Sequence, residues 1–234
     1  MENDFEAYYK YFNSLRENPL LHTVDDNELN KLLHLGAIEK WPKKTCILDP
    51  ERTLYKFHII ISGRLKTYKT NSINSRHITL FLLFPGAMFD ILSLYDSGKH
   101  DIYYETLDDL EVLCIPVARM KAWLGNNPSL HDKLIKHLTK QVKNLENYLL
   151  AVNLESTFTR LAKLLLRHSN RKSQLIEEIN DLSHNELAAM IGTTRAVINR
   201  HLQRLKEEGI IKINRKHITI NNIDALIGIA QNHT

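Results

Sequence analysis

One stretch limits the possible fold more than any other: Leu182 to Ile211, LSHNELAAMIGTTRAVINRHLQRLKEEGII. Its pattern is two short helices joined by a glycine-containing turn. Ser183 and Glu186 stand at the spacing where a hydroxyl and a carboxylate cap each other's exposed N–H groups, so a helix starts at Ser183. Leu187, Met190 and Ile191 form an apolar i, i+3, i+4 stripe, and Gly192 supplies a tight turn. Thr194 is the N-cap expected for the second helix. There Ile198, Leu202 and Leu205 face inward and leave Arg195, Asn199, Arg200 and Gln203 on other faces. Guanidinium groups match guanine in the major groove, and Asn or Gln matches adenine, so this face suits DNA reading. A solvated polar face on an ordinary helical pair would carry the same residues.

The residues downstream favour the DNA reading. Ile211 and Ile213, a polar corner Asn214-Arg215-Lys216, then Ile218 and Ile220 alternate like a β-hairpin. Helix-turn-helix followed by hairpin is a winged helix. Between Leu182 and His217 seven Lys or Arg face three Glu, a net +4 that equals the formal charge of the whole chain. The basic footprint therefore sits where the motif sits.

At 234 residues the chain is long enough for two domains, and a composition 43% hydrophobic and 25% charged is that of a globular protein. The apolar run Ile78 to Phe84 is too short to span a bilayer, and the start Met1-Glu2-Asn3-Asp4 is acidic where a signal peptide is basic, so a cytoplasmic protein without membrane association is expected. Cys46 and Cys114 lack the spacing of a metal or redox motif and are expected to be buried, unreactive thiols. The twelve His are scattered, and no pair has the spacing of a helical zinc site, so no metal is expected. Glu105, Asp108, Asp109 and Glu111 read as a solvated acidic turn. No catalytic set can be picked out, and the chain is not read as an enzyme.

Along the chain, aromatic residues at Phe5, Tyr8, Tyr9 and Phe12 mark a first helix and Leu29, Leu32 and Leu33 a second, ending near Gly36. From Trp41 to Pro116 short alternating runs between turn residues indicate an all-β unit; Tyr55, Phe57, Ile59 and Ile61 alternate before Ser62-Gly63, and Leu65, Thr67 and Lys69 return. A long helix is expected from Pro128 to about Val152. On it Ile135, Leu138, Val142, Leu145, Leu149 and Val152 make a heptad seam, which predicts a partner helix and a two-fold dimer. A hinge is placed at Asn153 to Thr157, a helix around Phe158 to His168, and a lead-in strand at Ile176 to Ile179. The expected fold class is α+β. An N-terminal antiparallel β-roll with leading helices occupies residues 1–127, a central dimerisation helix 128–152, and a C-terminal winged helix-turn-helix 153–234.

That order resembles the CRP/FNR family of bacterial transcription regulators, whose sensor is a cyclic-nucleotide-binding-like β-roll, over essentially the full chain. Four stretches carry the likeness: YKFHIIISGRLKTYK (Tyr55 to Lys69), LFPGAMF (Leu83 to Phe89), the helix from Pro128, and the stretch from Leu182 to Ile211. Gly192, Arg195 and Arg200 fall where the family has its turn glycine and two recognition-helix arginines. The resemblance implies a homodimer on a near-palindromic DNA site, its two recognition helices about 34 Å apart, with RNA polymerase as a further partner. The implied DNA contacts are Ser183, Thr194, Arg195, Asn199, Arg200, Gln203, Arg215 and Lys216. Many members have a Glu after the first arginine that accepts from cytosine; here Ala196 stands there, so Asn199 or Gln203 is expected to take over part of the base reading.

The sensor departs further from the family. Members that bind cyclic nucleotides use a Gly-Glu pair, an Arg-Ser pair and a polar contact from the dimer helix. The corresponding positions here are Asp90-Ile91, Asp101-Ile102 and Leu145. A carboxylate in place of a phosphate-clamping guanidinium sets like charge against like, and Lys99 and His100 would have to rotate inward to offset it, so cAMP is not expected as effector. Two cysteines cannot supply the four thiolates of an iron–sulfur cluster. His22, His58, His77 and His100 are candidate haem ligands, against the commoner core or surface role of a single His. The cofactor is left unknown, and an unidentified small-molecule effector, or none and hence a constitutive DNA binder, both fit. A cupin-like metalloenzyme fused to a DNA-binding domain would need a His-x-His pair, and none occurs.

Overall fold

The structure is a computed structural model that describes residues 2–47, 55–70, 77–96, 102–170, 172–214 and 217–231. The chain divides into two compact units, one of residues 1–73 and 80–141, the other of 74–79 and 142–234.

Helices α1 (Glu2–Glu17) and α2 (Asp26–His34) of the first unit lead into strands β1 (Ala37–Trp41), β2 (Cys46–Ile47), β3 (Lys56–Ser62), β4 (Leu65–Thr70), β5 (His77–Leu83, of which residues 80–83 belong to this unit) and β6 (Met88–Phe89). A 3-10 turn at Ile91–Leu94 precedes β7 (Tyr103–Thr106), β8 (Leu110–Pro116) and helix α3 (Val117–Asn126). The strands form two four-stranded sheets, in the orders β1-β8-β3-β6 and β2-β7-β4-β5, and the registers described are antiparallel.

The central strand departs from simple alternation. Phe57 through Ile61 are all buried, because β3 is covered on both faces. Its odd residues Phe57, Ile59 and Ile61 join Leu113 and Ile115 of β8 in a core completed by α1, α2 and α3. Its even residue Ile60 joins Val112, Trp41, Phe89 and Tyr104 in a second core between the sheets. A period of two thus sorts one strand into two cores.

The acidic turn is also different from expectation. Asp108 takes two hydrogen bonds from Arg64, at 2.6 and 2.8 Å. Glu105 pairs with Lys66 at 2.7 Å, Glu111 accepts from Ser62 and pairs with Lys10, and Asp109 accepts the backbone N–H of Lys43. Cations and donors from α1, from turns and from strands β3 and β4, which the local sequence does not announce, turn this cluster into cross-links. Cys46 is exposed and not buried as expected, since β2 is a two-residue edge strand; Cys114, in the middle of β8, is buried.

Helix α4 (Ser129–Leu154) spans 26 residues, about 39 Å at 1.5 Å per residue. The second unit continues with α5 (Thr157–Arg167), α6 (His184–Ile191), α7 (Arg195–Glu207), the antiparallel hairpin β9 (Ile211–Asn214) and β10 (His217–Ile220), and α8 (Ile223–Gln231), which packs on α5. The expected strand at Ile176 to Ile179 is only two isolated bridges, Ser169 to Ile176 and Leu175 to Thr219. Gln174 and Glu178 adopt positive φ there, which breaks the extended run.

Gly36 marks how closely the first unit is assembled. A Cβ on it would lie 2.1 Å from the carbonyl oxygen of Cys114, a backbone atom that cannot swing aside. Gly36→Ala is therefore expected to lower stability by about 1–3 kcal/mol, the usual cost of overpacking. Urea unfolding measures it, and an unchanged midpoint would contradict this account of the β1–β8 approach.

Candidate nucleic-acid interface and β-roll interior

The helix-turn-helix forms from local signals. Ser183 caps α6, its Oγ accepting the N–H of Glu186 at 3.3 Å while its own N–H donates to Glu186 Oε2 at 2.7 Å. Gly192 ends α6 in the left-handed conformation at φ 68°, which a residue with a Cβ rarely takes. A Cβ there would stand 3.3 Å from the Tyr148 hydroxyl and 3.5 Å from Val152, so the turn is seated against the last turns of α4. Thr194 occupies the N-cap position of α7 but makes no side-chain cap bond. Ile198, Leu202 and Leu205 are buried and fix the helix on its inner side.

The outer side of α7 sorts into held and unheld groups. Arg195 and Arg200 are exposed, and neither has a hydrogen bond or ion pair among the described residues. Asn199 is hydrogen-bonded to the His184 ring on α6. Gln203 is exposed and donates its amide N–H to Glu207 at 2.8 Å. Ala196 is exposed between them. Arg215 and Lys216, at the hairpin corner, lie outside the described residues.

His201 was not singled out by sequence reasoning, yet it ties α7 to the joint between α4 and α5. Its Nε2 lies 2.8 Å from the Thr157 hydroxyl and its ring packs on Phe158 at 5.1 Å, while the Arg204 guanidinium covers the same Phe158 at 4.4 Å. Burial, then the charges of Arg200 and Arg204, holds the His201 imidazole below its ordinary pKa, so it is a neutral partner for Thr157. The signal available in sequence was the i, i+3 pairing of His201 and Arg204 on one helix face, which has no meaning until Phe158 is placed beside it.

At the joint itself, α4 ends at Leu154 and Ser156 caps α5 by accepting the Thr159 N–H at 3.1 Å. Lys163 holds Glu155 at 2.6 Å.

Of the expected seam on α4, Ile135, Val142, Leu145 and Leu149 are exposed, between 40% and 63%, an uncommon density of open apolar surface on one helix. Leu138 is half-buried against the helix-side core of the first unit, and Val152 is half-buried near the Gly192 turn.

The positions matched to the family's effector pocket are engaged internally or apolar. Asp90 adopts φ 58°, and its carboxylate accepts from the Tyr104 hydroxyl while Oδ2 lies 2.9 Å from His58 Nδ1. Burial, then the Asp90 charge, pushes the Tyr104 phenol up, which keeps it a donor. His58, named above as a candidate haem ligand, is fully buried; it stacks on Phe89 at 4.5 Å and meets Trp41 edge-on at 5.8 Å. Ile91 is buried, Ile102 is half-buried against the inter-sheet core, and Leu145 is exposed. Asp101, with Lys99 and His100, lies outside the described residues. His22 and His77 are exposed. Among the described residues no cluster of three or more His, Cys, Asp or Glu could hold a metal ion, and no helix is long and apolar enough to cross a membrane.

Known proteins share this organisation. The family model described as the cyclic nucleotide-binding domain matches residues 38–127, and that of the Crp-like helix-turn-helix domain matches residues 159–229. The chain is 24% identical over 216 residues to a cyclic AMP receptor protein of Thermus thermophilus, covering 92% of this chain and 98% of that one. It is 26% identical over 217 residues to the fumarate and nitrate reduction regulatory protein of Salmonella typhi, covering 89% and 84%. Among solved structures, a putative crp/fnr-family transcriptional regulator of Eubacterium rectale superposes with a TM-score of 0.70 at 21% identity, over 92% of this chain and 98% of that one. FixK2 of Bradyrhizobium japonicum gives 0.72 at 18% identity, over 85% and 99%. At such identities the structural likeness speaks for the fold, while the two family models and the named relatives supply the lineage. The two family models, matched in order on a β-roll unit and on a winged helix with its turn glycine in the left-handed conformation, and the named relatives place the chain in the CRP/FNR family of DNA-binding transcription regulators.

Proposed function

We propose that the protein acts as a homodimer that reads a near-palindromic operator with two copies of α7 and does not use cAMP as its effector. One observation carries the reading: Arg195 and Arg200 are exposed on α7 with no hydrogen bond or ion pair among the described residues, two guanidinium groups left for an outside partner. Each can supply a bidentate contact to guanine or a charge-assisted bond to phosphate. Asn199 and Gln203 on the same helix, Ser183 and Thr194 at the two helix starts, and Arg215 and Lys216 between the two hairpin strands complete the contact set. RNA polymerase is the further partner that regulation of transcription requires, and the work is cytoplasmic.

The dimer is supported by the exposed seam of Ile135, Val142, Leu145 and Leu149, to which Leu138 and Val152 add at their half-buried edges. A second copy of α4 laid along it would remove that surface from water and set the two recognition helices about one DNA turn apart, about 34 Å. The segment from Asn153 to Thr157 serves as the hinge, and the Thr157 and Phe158 contacts to His201 and Arg204 give it a route to the recognition helix. An effector would act by favouring one arrangement of this joint over another. Against cAMP stand Asp90, whose carboxylate is committed to Tyr104 and His58, and the apolar Ile91, Ile102 and Leu145.

Selection of bound DNA from a random pool is expected to return an inverted repeat. Binding to it should weaken steeply with salt, and a log–log slope near zero would remove the claim that phosphates are neutralised. On that operator Arg200→Ala should lose about 1–3 kcal/mol, the worth of one bidentate pair; undiminished affinity would sink the assignment. Val142→Asp combined with Leu149→Asp buries charge at the seam and should yield a folded monomer in sedimentation equilibrium, since each apolar side chain contributes about 1.5–3 kcal/mol when covered. A wild-type chain that sediments as a monomer at operator-binding concentrations would end the dimer reading. Calorimetry with cAMP should show no heat of binding, and micromolar affinity would overturn that part.

A further inference from the structure

Asn199 extends from the outer side of α7, where a side chain of a recognition helix meets base edges, yet the structure ties it to His184, the first residue of α6. The atoms in contact are the Asn199 carbonyl oxygen Oδ1 and the His184 ring nitrogen Nδ1. An amide oxygen has nothing to donate, so this contact is a hydrogen bond in the tautomer that carries the His184 proton on Nδ1. The consequence for Asn199 is directional. With Oδ1 turned to the imidazole, the NH2 group, two donors, is the end left facing outward.

We infer that His184 sets the base preference of Asn199, turning a residue that would otherwise match adenine into a donor-only reader of acceptor edges. This inference rests on the reading of α7 as the recognition helix. A free Asn pairs with adenine through both of its polar atoms, Oδ1 accepting from N6 and Nδ2 donating to N7. Holding Oδ1 on His184 disfavours that arrangement and leaves Nδ2 to donate to guanine O6 or N7, or to thymine O4, none of which offers a donor in return. His184 does this without entering the groove itself; it is a positioning residue on the neighbouring helix. The geometry is stable because both helices are fixed independently: α6 by the capping box one residue before His184, and α7 by Ile198 and Leu202 buried on either side of Asn199 in sequence. With Ala196 in place of an acidic reader, Asn199 is also the outward polar group nearest the start of α7 that is not a guanidinium.

The test compares base preferences and not affinity alone. An operator selected by the wild-type protein is changed one base pair at a time, and the variants compete for binding to wild type, Asn199→Ala, His184→Ala and His184→Gln. Asn199→Ala should lose discrimination at one position by about 5- to 150-fold. At that same position His184→Ala, its Asn199 carboxamide released, should accept adenine while keeping near wild-type affinity for the parent operator. His184→Gln, which retains an N–H donor, should keep the wild-type preference. A His184→Ala protein that still rejects adenine there, or an Asn199→Ala protein unchanged at every position, overturns the inference while the helix assignment stands. Failure of the wild-type chain to select any sequence would instead remove the recognition-helix reading beneath it.

Discussion

Burial of β3 and β8 on both faces is the constraint on which the first unit depends. Neither strand has a face to give to water, so each must offer an apolar side chain at nearly every position. Phe57, Ile59, Ile61, Leu113 and Ile115 hold the helices α1 to α3, while Ile60, Val112 and Cys114 hold the opposite sheet. Removing either cover would expose one half of this pair, and the hydrophobic driving force is proportional to the area so covered. The same two-sided arrangement brings His58 to a place where no water reaches it, and there Asp90 meets its ring while Trp41 and Phe89 enclose it.

The second unit is organised by a turn. Gly192 is left-handed where α6 stops and α7 starts, a conformation that favours glycine, and Tyr148 and Val152 of α4 pass close by it. One residue therefore meets a local dihedral requirement at a point where the turn also packs on α4. Further along, α7 is tied back to the start of α5 through His201 and Arg204 on Thr157 and Phe158. These contacts lie between the end of α4 and the exposed side chains of α7, so a change in the joint has a physical path to that helix made of packed rings and one hydrogen bond. Such a path transmits a signal only if the joint has two arrangements that an effector can distinguish.

Legibility in the sequence followed the range of the interaction. The capping box of Ser183 and Glu186, the glycine turn, the inward triplet Ile198, Leu202 and Leu205, and the hairpin pairing of Ile211 with Ile220 all rest on residues close in the chain, and periodicity finds them. The alternating run from Tyr55 to Ile61 was legible as a strand but not as one buried on both faces, because a period of two does not say what covers the second face. The strand expected at Ile176 to Ile179 failed for a local reason, the positive φ of Gln174 and Glu178, at residues that give little warning of it. The acidic group from Glu105 to Glu111 was read as solvated because its cations, Arg64, Lys66 and Lys10, lie some forty to a hundred residues away in sequence.

The recognition face shows the division most clearly. The sequence by itself determined that Arg195, Asn199, Arg200 and Gln203 share the outer side of a helix, because a 3.6-residue period and the buried Ile198, Leu202 and Leu205 leave them nowhere else to point. It also determined that the first helix begins at Ser183 and ends at Gly192. Only the tertiary structure decided which of those four side chains are unheld and which are already engaged. That depends on the angle at which α6 lays His184 across Asn199, and a crossing angle is set by packing between helices and not by the residues of either one.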